Sequence, residues 1–492
     1  MKKDLAKLLL TGLFIATFHF FAFAKNEGDG YEIKVKITEF TKDTIYLGYQ
    51  LGNQSYIRDT AVLDKSTGYF TFKGKEKLKP GIYLVVTPPD NSYFQIMVNE
   101  QEQHFTMVTS LQEPYNKATF KNTKDNDLFF GYMRYLSDKR KVAEEASALR
   151  AKDSTKATQM LKDLDKEVKA YQRDLVTKNV GTITALLIKT AVETEGPTFD
   201  HIKDKNERET AMYYYYKLRW FDNFEMANPA LLRSPVLFQR IDYYLEKLTP
   251  QHPDSVIQSL DVILELVKPS KETFQFYFVH YLNQYAKSKL VGFDAIYVHL
   301  AKKYIETGQT DVFMEKDNKE NILKNANKLF PILIGKVAPE INVFKQDTAF
   351  DKNSQPISLH ATKSKYTILF FYAPDCGHCQ KQSPDLVEFL KKAKAKNMDV
   401  KIFATCTYIN SNGNKMPECV KYIQEKGFGD FINTMDPFLM SRYKTLYNVE
   451  TTPQIFVLDE NKVIRSKSIE AKQLEDVMDF IIKEDNEKLK KN

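Results

Sequence analysis

Cys376-Gly377-His378-Cys379 follows the apolar run Thr367-Ile368-Leu369-Phe370-Phe371-Tyr372-Ala373 and opens an amphipathic segment. That order constrains the fold more than any other feature of the chain. A buried strand must pass almost at once into a helix whose first turn carries two thiols. The first sulfur then lies where helix N-terminal amides stabilise a thiolate, and the second waits within one turn to resolve a mixed disulfide. Two cysteines so placed are arranged for disulfide exchange.

At 492 residues the chain is too long for one core, and two to four domains are expected. Its 43% hydrophobic and 13% aromatic content describes a folded protein, not a fibrous or disordered one. Residues 1–24 stand apart. Lys2, Lys3 and Lys7 form a basic start, Leu8 to Phe21 is nearly all apolar, and Ala22-Phe23-Ala24 is a small-x-small site. This reads as a secretory signal peptide cleaved after Ala24, with an uncleaved membrane anchor the disfavoured alternative. Its removal takes three lysines and one aspartate, so a formal charge of +7 becomes +5. The remaining charges interleave. The densest basic run, Lys391 to Lys396, reads as a solvated helix face, and export also argues against nucleic acid as a partner. Only four cysteines occur, all after residue 375, so they are local chemistry in one domain and not a disulfide framework.

Residues 25–122 are predicted to form a β domain. Ile33 to Ile37 and Tyr69 to Phe72 alternate, Tyr83 to Val86 is a short apolar run, and turn signals such as Gly52-Asn53, Thr67-Gly68 and Pro80-Gly81 separate them. Strands at this spacing suggest an antiparallel β-sandwich. From 123 to 330 the period becomes helical. Asp127 is read as a cap for a helix carrying Leu128, Tyr132 and Tyr135, Leu149 to Leu175 as one long charged helix, and Glu207 to Phe330 as helices punctuated by prolines. The aromatic residues there are read as core. His280 and His299 are read as structural, not as metal ligands. Residues 331–492 are predicted to be α/β, with strands at Tyr366–Tyr372, Val400–Ala404, Gln454–Leu458 and Val463–Lys467. Helices are expected at Cys419–Lys426, at Phe438–Tyr447 and from Ala471, and Pro384 is expected to kink the helix that follows Cys379.

Strand, Cys-x-x-Cys, proline-bearing helix and the Thr452-Pro453 step before a final hairpin together resemble the thioredoxin fold. The leading Gly335-x-x-Ala338-Pro339 and Ile357-Ser358-Leu359 make residues 332–492 similar to the ResA/TlpA branch of exported thiol–disulfide oxidoreductases. The β and helical regions resemble extensions attached to such domains in envelope proteins. The resemblance implies that Cys376 attacks and Cys379 resolves. It also implies that Pro453 is cis and faces the pair, and that Thr452 offers backbone for strand-like pairing with a substrate. No cofactor is implied beyond a redox-active Cys376–Cys379 disulfide. Gly377 and His378 tune the couple. His378 replaces the proline of reducing thioredoxins, and its protonated ring would stabilise the Cys376 thiolate and make the disulfide more oxidising. Potentials in the superfamily run from about −270 mV for thioredoxin to about −180 mV for disulfide isomerase.

Three departures from the family pattern matter. Asp375 stands where a tryptophan is usual, which removes an apolar contact and sets a negative charge against thiolate formation. Phe370 replaces a buried proton-shuttling aspartate, and Gln382 replaces a glutamate frequent in the branch, so the proton acceptor for Cys379 is unassigned, with water and His378 as candidates. Cys406 and Cys419 flank the polar insertion Asn410 to Asn414. They are read either as a second disulfide pinning that loop or as two separate thiols, and zinc binding by all four cysteines is disfavoured.

The leading expectation is a periplasmic thiol–disulfide oxidoreductase acting on protein thiol and disulfide clients. Reduction is the favoured direction, with electrons drawn from a membrane or envelope donor. A binding or assembly protein, recruiting partners or forming a homodimer through residues 25–330, is the alternative from another class. A thiol peroxidase is disfavoured because Tyr372-Ala373-Pro374-Asp375 supplies no Thr or Ser before the cysteine.

Overall fold

The computed structural model describes residues 30–192, 196–346, 355–407 and 416–491. The expected signal peptide and the Asn410–Asn414 insertion lie outside them. By packing, the chain divides into two compact units. One takes the residues up to Pro197 together with Arg219–Arg240, and the other takes Thr198–Leu218 and Ile241 onwards. The architecture is an N-terminal β domain, a helical middle region and a C-terminal thioredoxin-like α/β domain.

In the first unit eight strands run as β1 (Tyr31–Thr38), β2 (Thr44–Leu51), β3 (Gln54–Asp64), β4 (Tyr69–Gly74), β5 (Gly81–Thr87), β6 (Ser92–Val98), β7 (His104–Ser110) and β8 (Thr119–Lys121). They hydrogen-bond in the order β6-β5-β2-β3-β4-β1-β7-β8. Every pair is antiparallel except β1 with β7, which is parallel. Ile33, Val35 and Ile37 point into the core while Lys34 and Lys36 alternate outward, as the period of two requires.

The helix Lys124–Leu149 is capped by Thr123 and not by the expected Asp127: Thr123 Oγ1 accepts from Asn126 N at 3.3 Å. A hydroxyl one residue before the first turn reaches the free amides there, whereas Asp127 already lies inside that turn and is exposed. The long helix expected from Leu149 to Leu175 is interrupted at 150–153, where Asp153 caps a new helix, Ser154–Lys178. Asp125 is fully buried and ties the region together. Its carboxylate accepts from Ile183 N at 2.8 Å, Thr184 N at 3.0 Å and Thr184 Oγ1 at 2.7 Å, at the N-terminus of the helix Ile183–Ala191. An anion among N-terminal amides is favourably placed.

In the second unit the helices Pro253–Val267, Lys271–Ala286 and Lys316–Leu329 precede the α/β region. Pro253 opens its helix at the position where a missing N–H costs nothing. His299 hydrogen-bonds Asp261 at 2.9 Å, in keeping with a structural role. Seven strands then form one mixed sheet: β9 (Asn342–Lys345), β10 (Pro356–Ser358), β11 (Tyr366–Tyr372), β12 (Val400–Cys406), β13 (Ile432–Met435), β14 (Gln454–Asp459) and β15 (Ile464–Lys467), in the order β10-β9-β13-β12-β11-β14-β15. β11, β12 and β13 are mutually parallel, and β14 lies antiparallel to β11.

All seven residues of β11 are buried, because both faces of the sheet are covered. Tyr366, Ile368, Phe370 and Tyr372 pack with Leu386, Phe389 and Leu390 of the helix Gly377–Ala395 on one side. Leu369 and Phe371 meet Tyr443, Tyr447 and Phe456 on the other. That helix runs through Pro384. The helix expected at Phe438–Tyr447 is confined to Tyr443–Leu446, because Asp436 folds its own following residues into a turn (Met440 N at 3.1 Å, Ser441 N at 2.8 Å).

Asp125→Ala should cost about 1.5–3 kcal/mol of stability, the loss of hydrogen bonds to a buried charged group, and Asp125→Asn should cost less. Trp220, the chain's single tryptophan, lies in the same unit, so its fluorescence during urea unfolding reads the change. An unchanged midpoint in Asp125→Ala would contradict the assignment.

Candidate active site

β11 ends at Tyr372, and Ala373-Pro374-Asp375 turns the chain into the helix Gly377–Ala395 with Cys376 at its N-cap. Cys376 Sγ accepts from Cys379 N at 3.3 Å, the contact a serine or aspartate makes at other helix starts. The same sulfur donates to Thr452 O at 3.1 Å. The Thr452–Pro453 bond is cis, so the fold brings the step before β14 against Cys376. Cys376 is half-buried and Cys379 fully buried, and both are free thiols.

The two thiols differ sharply in acidity. Burial raises the Cys376 thiol, yet hydrogen bonds from the side chains of Cys379 and Thr452 and from the amides of Cys379 and His378 outweigh burial and hold it below the ordinary cysteine value. Cys379 is pushed up to about 12, by burial first and by its contact with Cys376 second. One thiol is thus poised to attack while its neighbour stays protonated.

Asp375, Gly377 and His378 are exposed around this pair. A Cβ at Gly377 would meet nothing within 4 Å, so the position does not need glycine on steric grounds. His378 lies near Glu470, whose carboxyl is held below its usual range first by Lys472 and only weakly by the imidazole. Phe370 is buried and stacks on Tyr372 with centroids 5.4 Å apart, so an apolar ring fills the site expected for a shuttling carboxylate. Gln382 Oε1 accepts from Ala471 N at 2.9 Å. The residue in the glutamate position therefore ties the reactive helix to the turn Ala471–Gln473.

Ser383 and Tyr422 are the residues that sequence reasoning missed. Ser383 Oγ donates to Cys379 O at 2.8 Å and lies 2.8 Å from the Tyr422 hydroxyl. Tyr422 stacks on Tyr372 at 5.2 Å, and burial pushes its phenol up to about 12. The signal for Ser383 was its place one turn after Cys379; for Tyr422 it was its place one turn after Cys419.

Cys406 and Cys419 form a disulfide, with Cα atoms 6.5 Å apart and 13 residues of separation. Cys406 ends β12 in register with Tyr372, so this bond holds the helix Met416–Lys426, and Tyr422 with it, against the reactive end of the sheet. Among the described residues no three His, Cys, Asp or Glu side chains are grouped to hold a metal, and no helix is long and apolar enough to cross a membrane.

Comparison with known proteins gives family matches for two parts of the chain. Residues 334–467 match the AhpC/TSA family, and residues 31–129 match a domain of unknown function, DUF4369. No curated protein matches the chain. Among solved structures, a domain of a possible thiol-disulfide isomerase from Cytophaga hutchinsonii is 31% identical over 32% of this chain and 97% of its own, with a TM-score of 0.27. A thioredoxin-like protein from Bacteroides caccae is 14% identical over 58% of this chain and 98% of its own, with a TM-score of 0.41. A thiol:disulfide interchange protein from a Bacteroides species is 21% identical over 30% of this chain and 87% of its own, with a TM-score of 0.25.

The unequal acidities set an expectation for the reduced protein. Cys376 should be alkylated by iodoacetamide with a midpoint below the roughly 8.5 of a free cysteine. Cys379 should stay inert until the pH approaches about 12. Peptide mass mapping across a pH series separates the two, and a shared midpoint near that of free cysteine would refute the inequality. Residues 334–467 thus fold as a thioredoxin-like domain and match the AhpC/TSA family model.

Proposed function

We propose that this chain is an exported thiol–disulfide oxidoreductase of the ResA/TlpA-like branch, exchanging disulfides with protein clients through Cys376 and Cys379. The observation that carries the reading is the pairing of a thiol of lowered pKa at a helix N-cap with a buried thiol raised to about 12. In the reducing direction the Cys376 thiolate attacks a client disulfide, forms a mixed disulfide and releases one client thiolate. Cys379 then gives up its proton and displaces the second client thiolate, closing Cys376–Cys379, so two electrons pass to the client. Thr452 and Pro453 position the client backbone beside Cys376, and His378, Gly377 and Asp375 tune the potential.

Reduction is the direction we favour, with an envelope donor restoring the dithiol in the periplasm after cleavage behind Ala24. In this reading residues 25–122 and 123–330 form separate domains that recruit clients or pair two copies, and 331–492 carry the chemistry. Cys376→Ala should abolish exchange with a disulfide-bonded protein, and Cys379→Ser should accumulate the mixed disulfide on non-reducing gels. Equilibration in dithiothreitol buffers should give a potential near about −270 mV or lower, and His378→Pro should shift it further down, on the order of 30 mV or tenfold in equilibrium constant. A value near about −180 mV would overturn reduction in favour of oxidation or isomerisation. Exchange that survives in Cys376→Ala would overturn the enzyme reading.

A further inference from the structure

A cavity of about 280 Å³ lies within the second unit, between helical residues and the β14–β15 edge of the seven-stranded sheet. Its walls come from the turn after the helix Lys271–Ala286 (Leu290, Val291), from the helix Lys316–Leu329 (Asn325), and from β14 and β15 (Gln454, Phe456, Lys467). The exchange chemistry uses none of these side chains. The volume is at the small end for a ligand pocket, so it suits a molecule the size of one amino acid, not a nucleotide.

A buried charge lines this cavity. Lys467 ends β15 in register with Phe456, and its side chain is only 5% exposed. Its ammonium pairs with the carboxylate of Asp294, which is 25% exposed and stands in the same wall. Burying such a pair adds little stability, because desolvation takes back most of the Coulombic gain. The pair also leaves bonding capacity unused. An ammonium has three N–H groups and a carboxylate two oxygens. Among the described residues, the Lys467 ammonium donates to Asp294 Oδ2 alone, and no hydrogen bond reaches Asp294 Oδ1.

The neutral polar groups divide in the same way. Asn325 Nδ2 donates to the Tyr297 hydroxyl at 3.3 Å, and Gln454 Nε2 donates to Asn448 O at 3.3 Å. Both amide oxygens are left without a donor among the described residues, and the Asn448 side chain, also in the wall, makes no hydrogen bond to them. Donors are thus on offer at Lys467 and Asn448, and acceptors at Asp294, Asn325 and Gln454. Leu290 and Val291, 62% and 42% exposed, add apolar surface together with the buried Phe456. Lys289, the remaining charged residue of the wall, is exposed.

An ion pair that is already closed selects ligands by their charge. A lone anion gains from Lys467 but is repelled by Asp294, and a lone cation meets the reverse. A zwitterion can lie antiparallel to the pair and gain from both ends. We propose that this cavity binds a free α-amino acid with a large apolar side chain, its carboxylate held by Lys467 and its amino group by Asp294. Asn325 and Gln454 accept the remaining ammonium protons, and the apolar side chain lies against Leu290, Val291 and Phe456. The site does not depend on the reading of Cys376 as nucleophile.

Isothermal titration calorimetry of the full chain with L-phenylalanine, N-acetyl-L-phenylalanine and L-phenylalanine amide tests it. The acetyl form keeps the carboxylate alone, and the amide form keeps the amino group alone. Free phenylalanine should bind, and each derivative should bind at least about tenfold more weakly, the size of one lost hydrogen-bonded charge contact. Asp294→Leu with Lys467→Met removes both charges together, a change that buried pairs often tolerate. This double variant should keep its melting temperature and lose phenylalanine binding. If it does not fold, Asn325→Leu, at an exposed position of its helix, takes its place and should weaken binding about fivefold. Absence of phenylalanine binding, a derivative that binds as tightly as the free amino acid, or binding unaltered by the substitutions overturns the site. None of these outcomes bears on exchange through Cys376.

Discussion

Cys376 Sγ accepts the Cys379 amide at 3.3 Å, so the atom that caps the helix is also the atom placed to react. The arrangement holds only if the helix starts at this residue, and that start is fixed from behind by β11. Tyr366 to Tyr372 is buried along its whole length, with alternate side chains in two different cores. A slip of one residue would exchange Phe370 and Phe371 between faces and shift the helix start with them. The burial of a single strand on both sides therefore sets the register of the chemistry at its end.

The wall behind Cys379 shows how polarity is arranged inside that core. The Ser383 hydroxyl donates to the Cys379 carbonyl and pairs with the Tyr422 hydroxyl, so the polar groups of that wall are satisfied. Burial is consequently the largest influence on Cys379, and the asymmetry between the two sulfurs follows from one being at the helix mouth and the other beneath it.

Much of the C-terminal region was legible because its signals are local. The apolar run at Thr367 to Ala373, the Cys-x-x-Cys spacing and the alternating strands each depend on neighbours within ten residues. Signals that need distant partners were lost. β13 (Ile432–Met435) is four residues long and holds its conformation by pairing with Phe403 to Cys406 of β12 and with Phe344 and Lys345 of β9. The segment after it has helical periodicity, but the buried Asp436 captures the backbone first, so helix forms only from Tyr443. Thr123 was overlooked as a cap because Asp127 stood before an equally apolar stretch. The Cys406–Cys419 bond could be named only as one of two readings, since spacing does not fix geometry.

A protein that carries a nucleophilic thiol is a hazard to every disulfide within its reach, including its own. Thiolate attack requires an approach along the sulfur–sulfur axis, and Cys406 and Cys419 are both wholly enclosed in the core shared with Tyr372 and Tyr422. Neither the chain's own Cys376 nor that of another copy can line up on them without opening that core. Enclosure thus gives the structural disulfide kinetic immunity in a molecule whose other pair of sulfurs, in the function proposed, exchanges.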